Sequence, residues 1–151
     1  RAKNFSLLFN TSLIKSQVTL PQSINNDYWS TERPLQGQSP YVINAGLYYQ
    51  NDDKGWSASA LYNIFGPRIV LVGNSTYADV IETPRSTMDL TVTKTIKKFA
   101  LTFGAIDVFN QSVIWVQDFN KDKKYSRTGG DSQLVNFKRG NYFTLTAKYT
   151  F

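Results

Sequence analysis

Period-two alternation of apolar and polar residues is the feature that most restricts this chain, and it is clearest over Tyr142–Phe151. Phe143, Leu145, Ala147, Tyr149 and Phe151 fall on one face, and Tyr142, Thr144, Thr146, Lys148 and Thr150 fall on the other. Successive strand side chains point to opposite sides, so this pattern predicts a strand with one apolar and one polar face. Helical periodicity is scarce, and the same alternation recurs upstream. Phe5, Leu7, Phe9, Thr11 and Leu13 alternate with Ser6, Leu8, Asn10, Ser12 and Ile14. Tyr41, Ile43, Ala45, Leu47 and Tyr49 alternate with Val42, Asn44, Gly46, Tyr48 and Gln50. Trp56 to Asn63, Met88 to Ile96 and Phe99 to Ile106 behave alike. Lys94 is the exception on an apolar face, near a strand end where a long stem can carry its charge outward.

Six strands follow, at 3–20, 39–50, 56–72, 86–96, 98–118 and 139–151, in an all-β, antiparallel arrangement. Their connections run 21–38, 51–55, 73–85, 97–98 and 119–138, alternately long and short. Transmembrane β-barrels have this asymmetry, with short periplasmic turns and long extracellular loops. If the last strand runs down to the periplasm, counting back puts every long connection outside and every short one inside. The turn Asn51-Asp52-Asp53-Lys54-Gly55 has suitable chemistry, with Asx-turn residues and a glycine for positive φ. Lys97-Lys98 is a two-residue hairpin without glycine, and Pro67 implies a bulge or break in the third segment.

Composition is consistent with such a barrel. No apolar run approaches the roughly 18–20 residues of a spanning helix, whereas barrel strands need only about 9–11 alternating residues. A mean hydropathy of −0.35 is therefore compatible with a membrane location. The chain has no cysteine and no histidine, which excludes disulfides, Cys/His metal sites and imidazole catalysis. No catalytic set emerges, and no cofactor motif. The chain has 22 aromatics (Tyr 9, Phe 10, Trp 3); the apolar faces are rich in them near strand ends, and the opposite faces are mostly Thr, Ser, Asn and Gly. Both features count against a soluble β-sandwich or small soluble barrel, which would also have one dry face.

A family resemblance rests on ordered matches along nearly the whole chain: Glu32-Arg33-Pro34-Leu35-Gln36-Gly37-Gln38-Ser39-Pro40-Tyr41-Val42-Ile43-Asn44, then Leu61-Tyr62-Asn63 with Gly66-Pro67-Arg68-Ile69. Val72-Gly73, Glu82-Thr83-Pro84-Arg85 with Met88-Asp89-Leu90, Asp107-Val108-Phe109-Asn110 and terminal Tyr149-Thr150-Phe151 complete it. The chain resembles the late barrel of TonB-dependent receptors from Bacteroidetes. The resemblance implies the last six strands of a 22-stranded outer-membrane barrel, whose plug domain and earlier strands are absent here. It implies active import of a large or scarce solute, energised by the TonB complex, with a surface lipoprotein as a further partner. A passive porin-like or surface-binding barrel is the alternative. Six strands cannot enclose a lumen, and open edges in hydrocarbon leave backbone groups unsatisfied. The chain, which starts at Arg1 without a signal peptide, is therefore expected as a mature piece or fragment paired with the remainder of its barrel.

Candidate sites are few. Tyr149 and Phe151 resemble the terminal signal read by the barrel-assembly machinery. Asp118, Asn120 and Asp122 form D-x-N-x-D, like the opening of a calcium loop, but Lys123 stands where that loop needs glycine and Gly129 where it needs glutamate. A polar surface loop is the better reading. Lys121, Lys123, Lys124 and Arg127, with Lys138 and Arg139, offer charge for lipopolysaccharide phosphates or an anionic solute, and a simply solvated loop is at least as good a reading. Nucleic acid is not expected, because the basic residues are divided between loops and no recognition module appears. Glu82 and Arg85 suggest a structural ion pair, and Asp89, facing the interior, is expected to pair with a cation of the lumen or plug, with contact to solute as the alternative.

Overall fold

The computed structural model describes residues 4–19, 32–74, 76–119, 122–125, 127 and 130–151. Among them run twelve strands: β1 (Phe5–Leu13), β2 (Val18–Thr19), β3 (Glu32–Arg33), β4 (Tyr41–Asn51), β5 (Trp56–Phe65) and β6 (Arg68–Leu71). There follow β7 (Val80–Glu82), β8 (Arg85–Ile96), β9 (Phe99–Ile106), β10 (Val113–Gln117), β11 (Ser132–Phe137) and β12 (Tyr142–Tyr149). Every pairing is antiparallel.

Six strands form the main sheet in the order β1-β4-β5-β8-β9-β12, a simple meander. A second, four-stranded sheet runs β11-β10-β7-β6, and β2 pairs with β3. The orders are related. β6, β7, β10 and β11 each continue β5, β8, β9 and β12 beyond a break, so four of the main strands extend into the second sheet in the same sequence of neighbours.

The breaks have local causes. Between β5 and β6 stand Gly66 and Pro67, and proline cannot donate to the ladder. Pro84 separates β7 from β8 in the same way. Between β9 and β10, Asp107 (φ 50°) and Asn110 (φ 44°) take left-handed conformations, which short polar side chains tolerate better than most. The expected strand 98–118 is thus two strands, as is 56–72. The expected strand 3–20 stops at Leu13, where Ile14 N–H turns to Pro40 O at 2.9 Å. Its outermost residues, 3 and 20, lie outside the described set. β7 and β11 occupy stretches expected as loops, 73–85 and 119–138. The last strand is shorter than expected, although Thr150 N–H still reaches Lys98 O at 2.9 Å.

Register aligns the alternation across the sheet. Leu7, Leu47, Ala60, Leu90, Ala105 and Phe143 form one continuous row, and Phe5, Tyr49, Ala58, Val92, Phe103 and Leu145 the next. On the other face run Ser6, Tyr48, Ser59, Thr91, Gly104 and Thr144. Among the described residues no second layer packs over the large apolar side chains of these rows: Leu7 is 76% exposed, Leu145 71% and, on the inner strands, Phe103 48% and Leu47 46%. Among the described residues the sheet is open, with β1 and β12 each paired on one side only. The buried core lies instead in the second sheet, where Ile69, Ile81, Ile114 and Val116 pack with Tyr125 against them. Each aliphatic side chain buried there contributes roughly 1.5–3 kcal/mol.

Candidate functional site

Polar chemistry concentrates in three places: the polar face of the main sheet, the junction between the sheets, and a cleft beyond it. On the polar face, Asn10, Asn44 and Asn63 stand in one cross-strand row, and Asn63 Nδ2 donates to Asn44 Oδ1 at 2.7 Å. Thr93 and Thr102 share a hydroxyl hydrogen bond of 2.8 Å across β8 and β9. A cleft of about 270 Å³ opens here around Tyr48, Ser59 and Thr91.

At the junction the breaks bring charged residues together. Arg68 and Glu82 pair at 2.7 Å, with the carboxylate almost fully buried. Arg85 and Asp107 pair at 3.4 Å. Glu82 and Arg85 do not pair with each other, contrary to expectation. Three positions apart on nearly extended backbone, they leave opposite sides of the chain. Phe65 links the two arginines, with the Arg68 guanidinium 4.7 Å and that of Arg85 5.8 Å from its ring centre. Asp89 accepts the backbone N–H of Asp107 at 2.9 Å. Glu82 Oε1, Arg85 Nε and Asp107 Oδ1 are buried and make no hydrogen bond among the described residues.

Beyond the junction lies a cleft of about 640 Å³, within the size range of small-molecule sites. Ile69, Ile81, Pro34, Pro40 and Pro67 give it apolar walls, and Lys15, Arg33, Arg68, Asp79, Asp118 and Lys123 line it with both signs of charge. Arg33 and Asp79 pair at 3.5 Å within it. Tyr125 also lines it, and burial pushes its phenol above the ordinary tyrosine value, with nearby Asp118, Asp79, Asp131 and Asp122 adding to the effect.

Of the D-x-N-x-D residues, Asp118 and Asp122 are brought together, and Asn120 lies outside the described residues. Asp131 joins them: carboxylate oxygens of Asp118, Asp122 and Asp131 lie within 4.8 Å of one another. Hard oxygen ligands of this kind suit a divalent cation. Two of the oxygens already serve the loop, since Lys123 N–H donates to Asp118 Oδ2 at 2.9 Å and Lys124 N–H to Asp122 Oδ1 at 2.8 Å. Asp131 is thirteen positions from Asp118, so motif spacing gave no sign of it. One member of the expected basic cluster is taken up inside the fold. Arg127 turns inward to Thr83, Pro84 and Ser112, and Lys121 lies outside the described residues. Tyr149 and Phe151 stay together, their rings edge to face at 5.3 Å, and Phe151 is fully exposed.

No protein-family model, curated protein or solved structure matches the chain.

Proposed function

We infer that this chain forms the last six membrane strands of an outer-membrane β-barrel of the TonB-dependent receptor type, importing a large or scarce solute. One observation carries the membrane reading: among the described residues, the large apolar side chains of the main sheet's rows stay uncovered and both edge strands are paired on one side only. Monomeric soluble proteins rarely leave so wide an apolar face exposed. Bilayer hydrocarbon accounts for that face, and neighbouring strands of a larger barrel account for the edges. The polar face with its Asn, Ser and Thr rows then borders the lumen, alongside a plug domain. The second sheet, β6, β7, β10 and β11, stands on the extracellular side, where its cleft can meet solute. β12 runs down to a periplasmic C-terminus, and its aromatic end serves assembly.

Transport with TonB coupling rests on the ordered motif resemblance. It is tested on the gene that encodes the chain. A plug domain and TonB-interacting segment upstream of the barrel, with solute uptake abolished when the proton-motive force is collapsed, support active import. A barrel with no plug, and uptake indifferent to that force, replaces import with a passive pore. Recovery of the intact protein as a monodisperse, detergent-free monomer would overturn both.

A further inference from the structure

Among the described residues the apolar face carries one cation, Lys94, and its place is specific. It stands between Val92 and Ile96 on β8, opposite Trp56 on β5 and Leu101 on β9. Its Nζ lies 4.7 Å from the centre of the Trp56 ring and donates to Lys54 O at 2.6 Å. An ammonium facing hydrocarbon is costly at mid-bilayer and tolerated near the interface, where aromatic side chains also gather. Phe99 and Tyr149 flank this same end of the sheet, in register with each other.

The adjacent turns bring more cations to that level. Thr95 N–H donates to Gly55 O at 2.8 Å, which holds the turn 51–55 beside the end of β8. Lys54 therefore lies in the turn next to Lys97 and Lys98. Among the described residues, none of Lys54, Lys94, Lys97 and Lys98 takes part in an ion pair. Asp52, in the same turn, accepts from Gln50 Nε2 at 2.9 Å. An ammonium has three donors, and the Trp56 ring with one carbonyl leaves Lys94 the capacity for another acceptor.

From this arrangement we propose that Lys54, Lys94, Lys97 and Lys98, with Trp56 beneath, form a binding site for the phosphate of an anionic phospholipid in the leaflet at the short-turn end. The acyl chains lie on Leu90, Val92 and Phe103, one step and more from the turn, and the phosphate meets the lysines at the level of the indole. This site rests on the membrane reading above. It adds a lipid preference, which that reading does not require. A basic residue near a charged leaflet favours anionic lipid about fivefold.

The intact barrel, with Trp56 as its sole tryptophan, is placed in vesicles containing brominated phosphatidylcholine or brominated phosphatidylglycerol. Quenching of Trp56 reports which lipid occupies the neighbouring position. Phosphatidylglycerol is expected to be preferred at least fivefold at low salt. Lys94→Gln combined with Lys97→Gln and Lys98→Gln should bring the preference close to one, and arginine at the same positions should restore it. No quenching by either lipid overturns the membrane reading itself. Equal quenching by both in the parent barrel overturns the lipid site and leaves the membrane reading standing. Because the parent barrel alone decides that point, a glutamine variant that fails to fold does not protect the proposal.

Discussion

Arg127 donates to the backbone carbonyl of Pro84 at 2.7 Å, across 43 positions of sequence. The same guanidinium reaches Ser112 O at 2.7 Å and Thr83 Oγ1 at 3.2 Å. Thr83 and Pro84 join β7 to β8, and Ser112 leads into β10, so one side chain ties the loop before β11 to two of the breaks between the sheets. Only a planar fork with several donors fits three such acceptors. Arg127→Met leaves partly buried carbonyls without a donor, at a cost of about 2 kcal/mol. Proteinase cleavage between Asp118 and Asp131 should then quicken about thirtyfold, and Arg127→Lys should recover little of the loss. An unchanged cleavage rate in Arg127→Met would show that the clamp does not hold the loop.

A second prediction concerns the turn that carries Lys54. Gly55 sits at φ +61°, and a Cβ built there runs into the Thr95 carbonyl, whose own residue donates back to Gly55 O. Gly55→Ala therefore combines left-handed strain with a collision against backbone, roughly 2–3 kcal/mol in all. Gly37 is the control, because at φ +79° it has open space around the same position. Gly37→Ala should cost only about 1 kcal/mol. Urea midpoints of the folded barrel in detergent compare the two, and equal losses would remove the Thr95 contact from the explanation.

The main sheet was legible because its signal has period two and any one-residue slip would exchange the faces of every strand. Leu47, Ala60 and Leu90 fall in one row as the alternation requires. Pro67 announced its break, whereas the break at Asp107 and Asn110 contains neither proline nor glycine and depends on two unusual φ values. β7 left no trace in the pattern because Val80, Ile81 and Glu82 are all buried, so nothing alternates. The candidate site was harder still. Glu82 takes its partner from Arg68 and Arg85 from Asp107, and such pairings follow from strand neighbours, which no local motif encodes. Asp131 reaches Asp118 and Asp122 through the fold of a loop whose spacing resembles no metal motif.

The two faces of β8 yield a third prediction. Leu90 lies mid-row on the apolar face, between Ala60 and Ala105, and Thr91 points to the polar face between Ser59 and Gly104. In a bilayer, Leu90→Arg should destabilise the barrel by about 2–4 kcal/mol, the usual cost of a lipid-facing arginine near the midplane. Thr91→Arg, with water beside it, should cost less than about 1 kcal/mol. Folding titrations in lipid vesicles measure both. Similar penalties at the two positions would argue that the apolar rows pack against protein.

Tyr125 links the core of the second sheet to the cleft, and its ionisation provides a test at alkaline pH. Burial chiefly, and then the carboxylates of Asp118, Asp79, Asp131 and Asp122, raise its phenol above the ordinary value near 10. The folded protein therefore keeps this proton over a range in which the unfolded chain has lost it. The resulting stability is complete below the unfolded value and is lost as pH rises through the higher folded one. Phenolate absorbance should show one tyrosine titrating late, and Tyr125→Phe should remove that component and flatten the alkaline fall in stability. Asp118→Asn should move the late titration toward the ordinary value without abolishing it, since burial is the larger cause. If Tyr125→Phe leaves the alkaline curve unchanged, the packing of this ring on Ile69, Ile81, Ile114 and Val116 is not what desolvates the phenol.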